Sequence, residues 1–314
     1  MEMAKKTESI LQEVKKAIVG KDEVVSKVLM AILAQGNILL EDAPGVGKTT
    51  LALAFSRTLS MDYNRIQFTP DVVPSDIIGF SVYNKATGEM EFKQGAVMTN
   101  LLLADEINRT SSKTQAALLE AMEERQVTVD GQTHVLPSPF VVIATQNPVG
   151  SAGTQLLPQA QLDRFMVRLS MGYPDSESQF LILKDRQREN PLYKLQAAVT
   201  VPEILKMQEE VVDLHVEDSI LRYITRIAEA SREHALVQQG ISPRGALALC
   251  RMAKACAYVK GRDYVIPEDV AEVFTEVCAH RLILAPKARI TDTSAEDILS
   301  EILERTSMED HKRR

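Results

Sequence analysis

Residues 42–50 read Asp-Ala-Pro-Gly-Val-Gly-Lys-Thr-Thr, directly after the apolar run Asn37-Ile-Leu-Leu-Glu41 and directly before Leu51-Ala-Leu-Ala-Phe55. The order is strand, glycine loop, helix, and it confines the chain to folds that hold a polyphosphate. Such a ligand needs several backbone N–H groups aimed at one spot. Gly45 and Gly47 lack a Cβ and permit the tight bend that aims them. The following helix offers its positive N-terminal end to anionic oxygens. Ala43, Pro44, Gly45, Val46, Gly47, Lys48, Thr49 and Thr50 are therefore the candidate phosphate-contacting residues. Lys48 reaches toward the β and γ phosphates, and the Thr49 hydroxyl is placed to ligate Mg²⁺.

The general pattern G-x-x-x-x-G-K-[ST] has glycine at its first position, where this chain has Asp42. A carboxylate there repels phosphate. Its side chain must point away or accept backbone N–H groups.

A second apolar run, Asn100-Leu-Leu-Leu-Ala104, ends in Asp105-Glu106. A short apolar run bounded by turn signals suits a fully buried parallel strand, and ligands of open α/β sheets bind at the C-terminal strand ends. Asp105 is the second candidate Mg²⁺ ligand, and Glu106 the residue to orient or deprotonate an attacking water. Phosphoryl transfer asks the protein mainly for positioning and charge neutralisation, so this short set is nearly sufficient. The run Phe140-Val-Val-Ile-Ala-Thr-Gln-Asn147 brings Asn147 to another strand end, where an amide can bond the γ phosphate or the water. Arg164, in Gln161-Leu-Asp-Arg-Phe165, stands just before a further apolar run. Ser242-Pro243-Arg244 opens a helix, with serine as N-cap and proline in the first turn. An arginine there opposes the helix dipole, which points to an external anion balancing Arg244.

In this order the residues resemble the AAA+ ATPases, and specifically the MoxR family, over essentially the whole chain. The markers are 42–49 for Walker A, Leu103-Ala-Asp-Glu-Ile-Asn-Arg109 for Walker B, Ala144-Thr-Gln-Asn-Pro148 for sensor 1, 161–165 for the arginine-finger segment and 242–244 for sensor 2. The run Phe68–Gly79 and the helix Ala117–Arg125 also look like that family. The resemblance implies ATP and Mg²⁺ as ligands and a homo-oligomeric ring, expected to be a hexamer. Glu106, Asn147, Arg164 and Arg244 would be the catalytic residues. Arg164 would act in trans on a neighbour's nucleotide, Arg244 would report the γ phosphate to the lid, and Val19-Gly20 would contact adenine. It also implies an α/β fold: an AAA+ phosphate-loop core with a parallel sheet of order 5-1-4-3-2, helices on both faces and two β-hairpin inserts, followed by a C-terminal all-helical lid. The expected division is 1–190 for the nucleotide-binding domain and 191–314 for the lid.

Composition narrows the partners. The chain has 314 residues, 45% hydrophobic and 25% charged, ordinary for a globular protein of two domains. No apolar stretch approaches the roughly 18 residues of a membrane span, and Met1–Lys6 lacks the apolar core of a secretory signal. Cys250, Cys256 and Cys278 show no C-x-x-C spacing, so a reducing, cytoplasmic setting is expected. The net charge of −7 disfavours nucleic acid, whose binding rests on Lys and Arg neutralising phosphates.

Along the chain, amphipathic helices at 7–18 and 21–35 precede strands at 37–41, 65–68, 100–105, 140–147 and 165–169, separated by helical patterns. Two segments, 81–92 around Gly88 and 127–135 around Asp130-Gly131, read as hairpins. In related rings such inserts face the pore or substrate. Neither tip is basic, with Lys85 against Glu89 in one and Asp130 and His134 in the other, which favours a protein partner. Beyond Pro174 helices follow at 175–190, 202–212, 218–238, 242–259, 267–279 and from Ala295. A GTPase is excluded by Asn84-Lys-Ala-Thr87, which lacks the final Asp of N/T-K-x-D. The alternative is a DNA-associated AAA+ motor or transcription regulator, against which stand the charge, the neutral hairpin tips and the absence of a DNA-binding module in this sequence; an inactive scaffold is opposed by the intact Glu106. The reading is Mg²⁺-dependent ATP hydrolysis, and the MoxR resemblance implies that it drives a chaperone-like task on a protein client. The resemblance also implies a von Willebrand factor A domain partner; no D-x-S-x-S metal motif occurs in this sequence, so that domain would come from a separate protein.

Overall fold

The computed structural model describes residues 2–147, 157–187 and 189–306. Two helices open it, α1 (Glu2–Lys15) and α2 (Asp22–Leu33). Strand β1 (Ile38–Glu41) leads through the loop into α3 (Lys48–Thr58), then β2 (Tyr63–Gln67) and a short α4 (Pro74–Ile78). The hairpin β3 (Gly79–Asn84) and β4 (Glu89–Gln94) precedes β5 (Leu101–Asp105) and α5 (Ser112–Glu124). A second hairpin, β6 (Gln126–Val129) and β7 (Gln132–Val135), leads into β8 (Val141–Gln146), α6 (Gln159–Leu162) and β9 (Val167–Leu169).

The main sheet runs β2-β5-β8-β1-β9, every pair parallel. Numbered as core strands, this is the expected order 5-1-4-3-2. Alternation along each strand sends neighbouring residues to opposite faces, and both faces are covered. Ile38, Leu40, Leu101, Leu103, Val141 and Ile143 belong to one apolar cluster, whereas Leu39, Leu102, Ala104, Val142 and Ala144 belong to the other. That is why these strands read as unbroken apolar runs. Both expected hairpins form, and Phe92 of β4 stacks on His134 of β7 with ring centroids 3.7 Å apart.

The rest is α7 (Ser176–Asp185), α8 (Val201–Asp213), α9 (Asp218–Glu233), β10 (Val237–Gln239), α10 (Pro243–Val259), α11 (Pro267–Cys278), β11 (Ile283–Leu284), α12 (Pro286–Ile290) and α13 (Ala295–Arg305). The helix starts follow from their first residues. Ser242 accepts from Gly245 N at 3.1 Å at the head of α10, and Thr200/Glu203 and Ser294/Asp297 form capping boxes for α8 and α13. The lid is helical with one departure. The helix expected over 218–238 stops at Glu233, and β10 pairs antiparallel with β11. Strands of two or three residues are too short to leave a period-2 signal.

The lid docks on the β9 edge and on the opening helices. α11 packs against β9, and α10 and α8 against α2. Lys27 of α2, nearly buried, donates to Glu276 of α11 at 2.5 Å, and Arg168 of β9 to Glu296 of α13 at 2.9 Å.

Candidate active site

The loop between β1 and α3 has the backbone the glycines foretell. Gly45 (φ +87°) and Gly47 (φ +104°) are both left-handed, and the space beside Gly45 is open. Gly47 is the N-cap of α3, and no side chain caps that helix. Its first N–H groups therefore face an anion site. Lys48 is 8% exposed and donates to the Asp42 carbonyl at 2.7 Å and the Ala43 carbonyl at 3.3 Å. Burial lowers its pKa, against the opposing pull of Asp42, Asp105 and Glu106. Thr49 and Thr50 continue the first turn.

Asp42 is turned out of the loop, as the repulsion argument requires. Its carboxylate accepts from Ser170 Oγ at 2.8 Å, Met171 N at 2.7 Å and Gly172 N at 2.9 Å. The acid in place of glycine thus ties the loop to the chain leaving β9. That same chain meets the proposed adenine segment: Lys21 donates to the Tyr173 carbonyl at 2.8 Å, and Gly20 lies so close to Ser178 that a Cβ would stand 2.0 Å from its Oγ. Gly20 and the loop thus both adjoin 170–178, the chain that leaves β9.

The acids converge on the same end of the sheet. Thr145 of β8, fully buried, donates to Asp105 Oδ1 at 2.6 Å and accepts from Glu106 N at 2.9 Å. The other Asp105 oxygen accepts from Arg65 at 2.7 Å. Glu106 has a left-handed backbone (φ +57°), rare for a non-glycine residue and typical of functional sites. Its side chain accepts from Asn147 at 2.8 Å, Arg109 at 2.8 Å and Gln67 at 2.9 Å. Burial alone would raise its pKa; the bonds from Arg109 and Asn147 outweigh that and hold it below the usual 4.5. Asn147 is itself held through its carbonyl by Asn108 at 3.3 Å. Pro148 of the sensor 1 segment lies outside the described residues.

Arg65, Gln67, Arg109 and Thr145 were not singled out from the sequence. A signal for the first two exists: Arg65 and Gln67 alternate along β2, which pairs in register with Leu103 and Asp105.

Arg164 and Arg244 are elsewhere. Both line a cavity of about 370 Å³ together with Arg125, Arg251, Arg281 and Glu123. The cavity walls also include 35–37, just before β1, and Met166, just before β9. Arg125 donates to the carbonyls of Gln35 and Phe140, both 2.8 Å, and Met166 N to the Asn37 carbonyl at 2.8 Å. These are the strand beginnings. β1 has four residues, so roughly 13 Å of strand separates this cavity from the loop. Arg244 therefore lies at the strand beginnings and not beside the phosphate loop of its own chain. The lid docks at the sheet edge so that the head of α10 lies at the strand beginnings. The anion beside Arg244 is internal, the carboxylate of Glu123.

A parallel sheet in this order, with an open glycine loop, a buried lysine and an acid pair at the strand ends, defines a phosphate-loop nucleotide hydrolase. The comparisons agree. Residues 37–167 match the family model "ATPase family associated with various cellular activities (AAA)", and residues 229–302 match "AAA lid domain". The chain is 46% identical to the uncharacterised protein YeaC of Bacillus subtilis, over 93% of this chain and 92% of that one. It is 39% identical to chaperone MoxR1 of Mycobacterium tuberculosis over 96% and 82%, and 32% identical to protein MoxR of Methylorubrum extorquens over 88% and 87%. A crystal structure of a protein from Cytophaga hutchinsonii, assigned as an ATPase, superposes with a TM-score of 0.91 at 38% identity, covering 98% and 96% of the two chains. The chain belongs to the MoxR family of AAA+ ATPases and is an ATP-hydrolysing enzyme.

Proposed function

We propose that copies of this chain assemble as a ring, expected to be a hexamer, and hydrolyse Mg²⁺-bound ATP at sites shared between neighbours. The observation that carries this is the separation just described. One end of each sheet holds the loop, Lys48 and the acids; the other holds five arginines around an open cavity. Neither half is a complete site for phosphoryl transfer. Set head to tail, each supplies what the other lacks, and a closed head-to-tail arrangement is a ring.

Lys48 would exchange its bonds to the loop carbonyls for bonds to phosphate oxygens. Asp105 and Thr49 would hold Mg²⁺; the fit is supported by Asp105, whose carboxylate already pairs with the cationic guanidinium of Arg65. When bound, the ion neutralises charge on the phosphate oxygens. Glu106, ionised and aimed by Asn147, would orient water and take its proton. Arg164 and Arg244 of the neighbour would stabilise charge developing on the transferred group. Val19 and Gly20 would border the adenine.

The work done is a chaperone-like remodelling or maturation of a protein client. A relative named as a chaperone supports this, as does the scarcity of positive charge on the hairpin tips. We place the domain division at 190/191, the working compartment in the cytoplasm, and the von Willebrand factor A domain on a separate partner protein. Among the described residues no helix is long and apolar enough to cross a membrane. The test is specific ATPase activity against protein concentration, followed alongside assembly by light scattering. Activity should rise as rings form; a flat value through the dissociation range would refute shared sites.

A further inference from the structure

We infer that Arg281 is a positioning residue that fixes Arg164 and Arg244 as one unit, although the first belongs to the core and the second to the lid. The inference rests on the shared-site reading above. Arg281 ends a 3₁₀ turn that follows α11, and its side chain is 2% exposed. Its guanidinium is spent on the segment that carries Arg164. Nε donates to Asp163 Oδ1 at 2.9 Å, and Nη2 to the carbonyls of Phe165 at 2.7 Å and Asp163 at 3.2 Å. Nη1 donates to the Met166 carbonyl at 3.2 Å and to that of Val277. One planar fork thus grips the backbone on both sides of Arg164.

The same side chain meets the head of α10. Gly245 lies so close that a Cβ there would stand 2.8 Å from Arg281 Cδ, so the arginine stem passes where any other residue would put a side chain. Ser242, the N-cap, donates from Oγ toward Asp163 Oδ2 at 3.4 Å. Ser242 and Gly245 bracket Arg244, just as Asp163 and Phe165 bracket Arg164. The Arg281–Asp163 pair touches both brackets.

A buried ion pair kept only to glue lid to core has no advantage over apolar packing, which is often as stable or more so. A planar fork does something apolar side chains cannot: it fixes direction. Direction matters here because the two arginines must meet one transferring group on another subunit. A displacement of about 1 Å can cost 10²-fold in rate.

The test uses full-length chains. Arg281→Lys keeps the charge and loses the fork; Asp163→Asn keeps the shape and loses the ionic partner. Each should bind ATP within about twofold of the parent, since 42–50 is untouched, while turnover falls by about 100-fold for Arg281→Lys and less for Asp163→Asn. Mixing either with Glu106→Gln subunits, whose own site is dead but whose arginines are intact, should restore turnover well above the sum of the separate activities. Arg164→Ala, mixed in the same way, is the control. Rescue of Arg164→Ala without rescue of the two variants overturns this inference alone, as does parental turnover in both. No rescue of any of the three overturns the shared-site reading and this inference with it. Should Arg281→Lys melt before assay, Asp163→Asn carries the same outcomes.

Discussion

The two ends of the main sheet are built on opposite plans. At the strand C-terminal ends, hydrogen bonds close inward: Lys48 on its own loop, Asp42 on 170–172, Glu106 under three donors. At the strand beginnings positive charge is in excess: Arg125, Arg164, Arg244, Arg251 and Arg281 line one cavity with two acids, Glu123 and Asp163, which pair with Arg244 and Arg281. The first end is a satisfied pocket awaiting an anion. The second is an unbalanced surface awaiting someone else's. On the shared-site proposal, the difference between the two ends means that the catalytic residues of one sequence serve two copies of the chain.

The comparison breaks most visibly at Lys48. Lys48→Ala should abolish ATP binding by calorimetry while leaving the arginine end intact, so ATP affinity equal to the parent would refute the loop assignment. Next comes Arg164→Ala, which should bind ATP normally yet lose about 10³-fold or more in turnover, the scale of an arginine finger. Loss of binding instead would place Arg164 in its own chain's pocket. Asp42→Ala leaves the N–H groups of Met171 and Gly172 without their acceptor. It should lower stability by about 1–3 kcal/mol, read as a fall in the thermal midpoint that saturating ADP partly reverses. Arg109→Ala sharpens the account of Glu106. Its donors hold the Glu106 carboxyl below the ordinary glutamate range; removing one raises its pKa and should move the acid limb of kcat to higher pH. The smallest effect belongs to the hairpins. Phe92→Ala removes one stacked pair, worth about 0.5–1.5 kcal/mol, and should speed hydrogen exchange in 126–135 with turnover unchanged.

What could be read in advance divides along the same line. The strands of the main sheet, the phosphate loop and both hairpins were legible because buried parallel strands leave apolar runs and the loop needs glycine at fixed offsets. Even the outward turn of Asp42 followed from repulsion alone. The place of Arg244 was not legible. It depends on which end of the sheet the lid covers, and that is set by contacts such as Arg168–Glu296 and Arg281–Asp163, more than a hundred residues apart in sequence. No local period records them. Arg281 did leave a trace, a His-Arg pair inside the apolar run Val277-Cys-Ala-His-Arg-Leu-Ile-Leu284, since a charge in such a run must find partners. The donors on Glu106 left less, because Gln67 and Arg109 are ordinary residues until the fold brings them to one carboxylate.

The most direct test of the account is to mix two inactive proteins. Arg164→Ala supplies an intact phosphate loop and acids, and Glu106→Gln supplies intact arginines. Titrating one against the other at fixed total protein, ATP turnover should climb from near zero to a maximum at intermediate ratios and fall again. Turnover that stays at the weighted average of the two separate proteins at every ratio would contradict it.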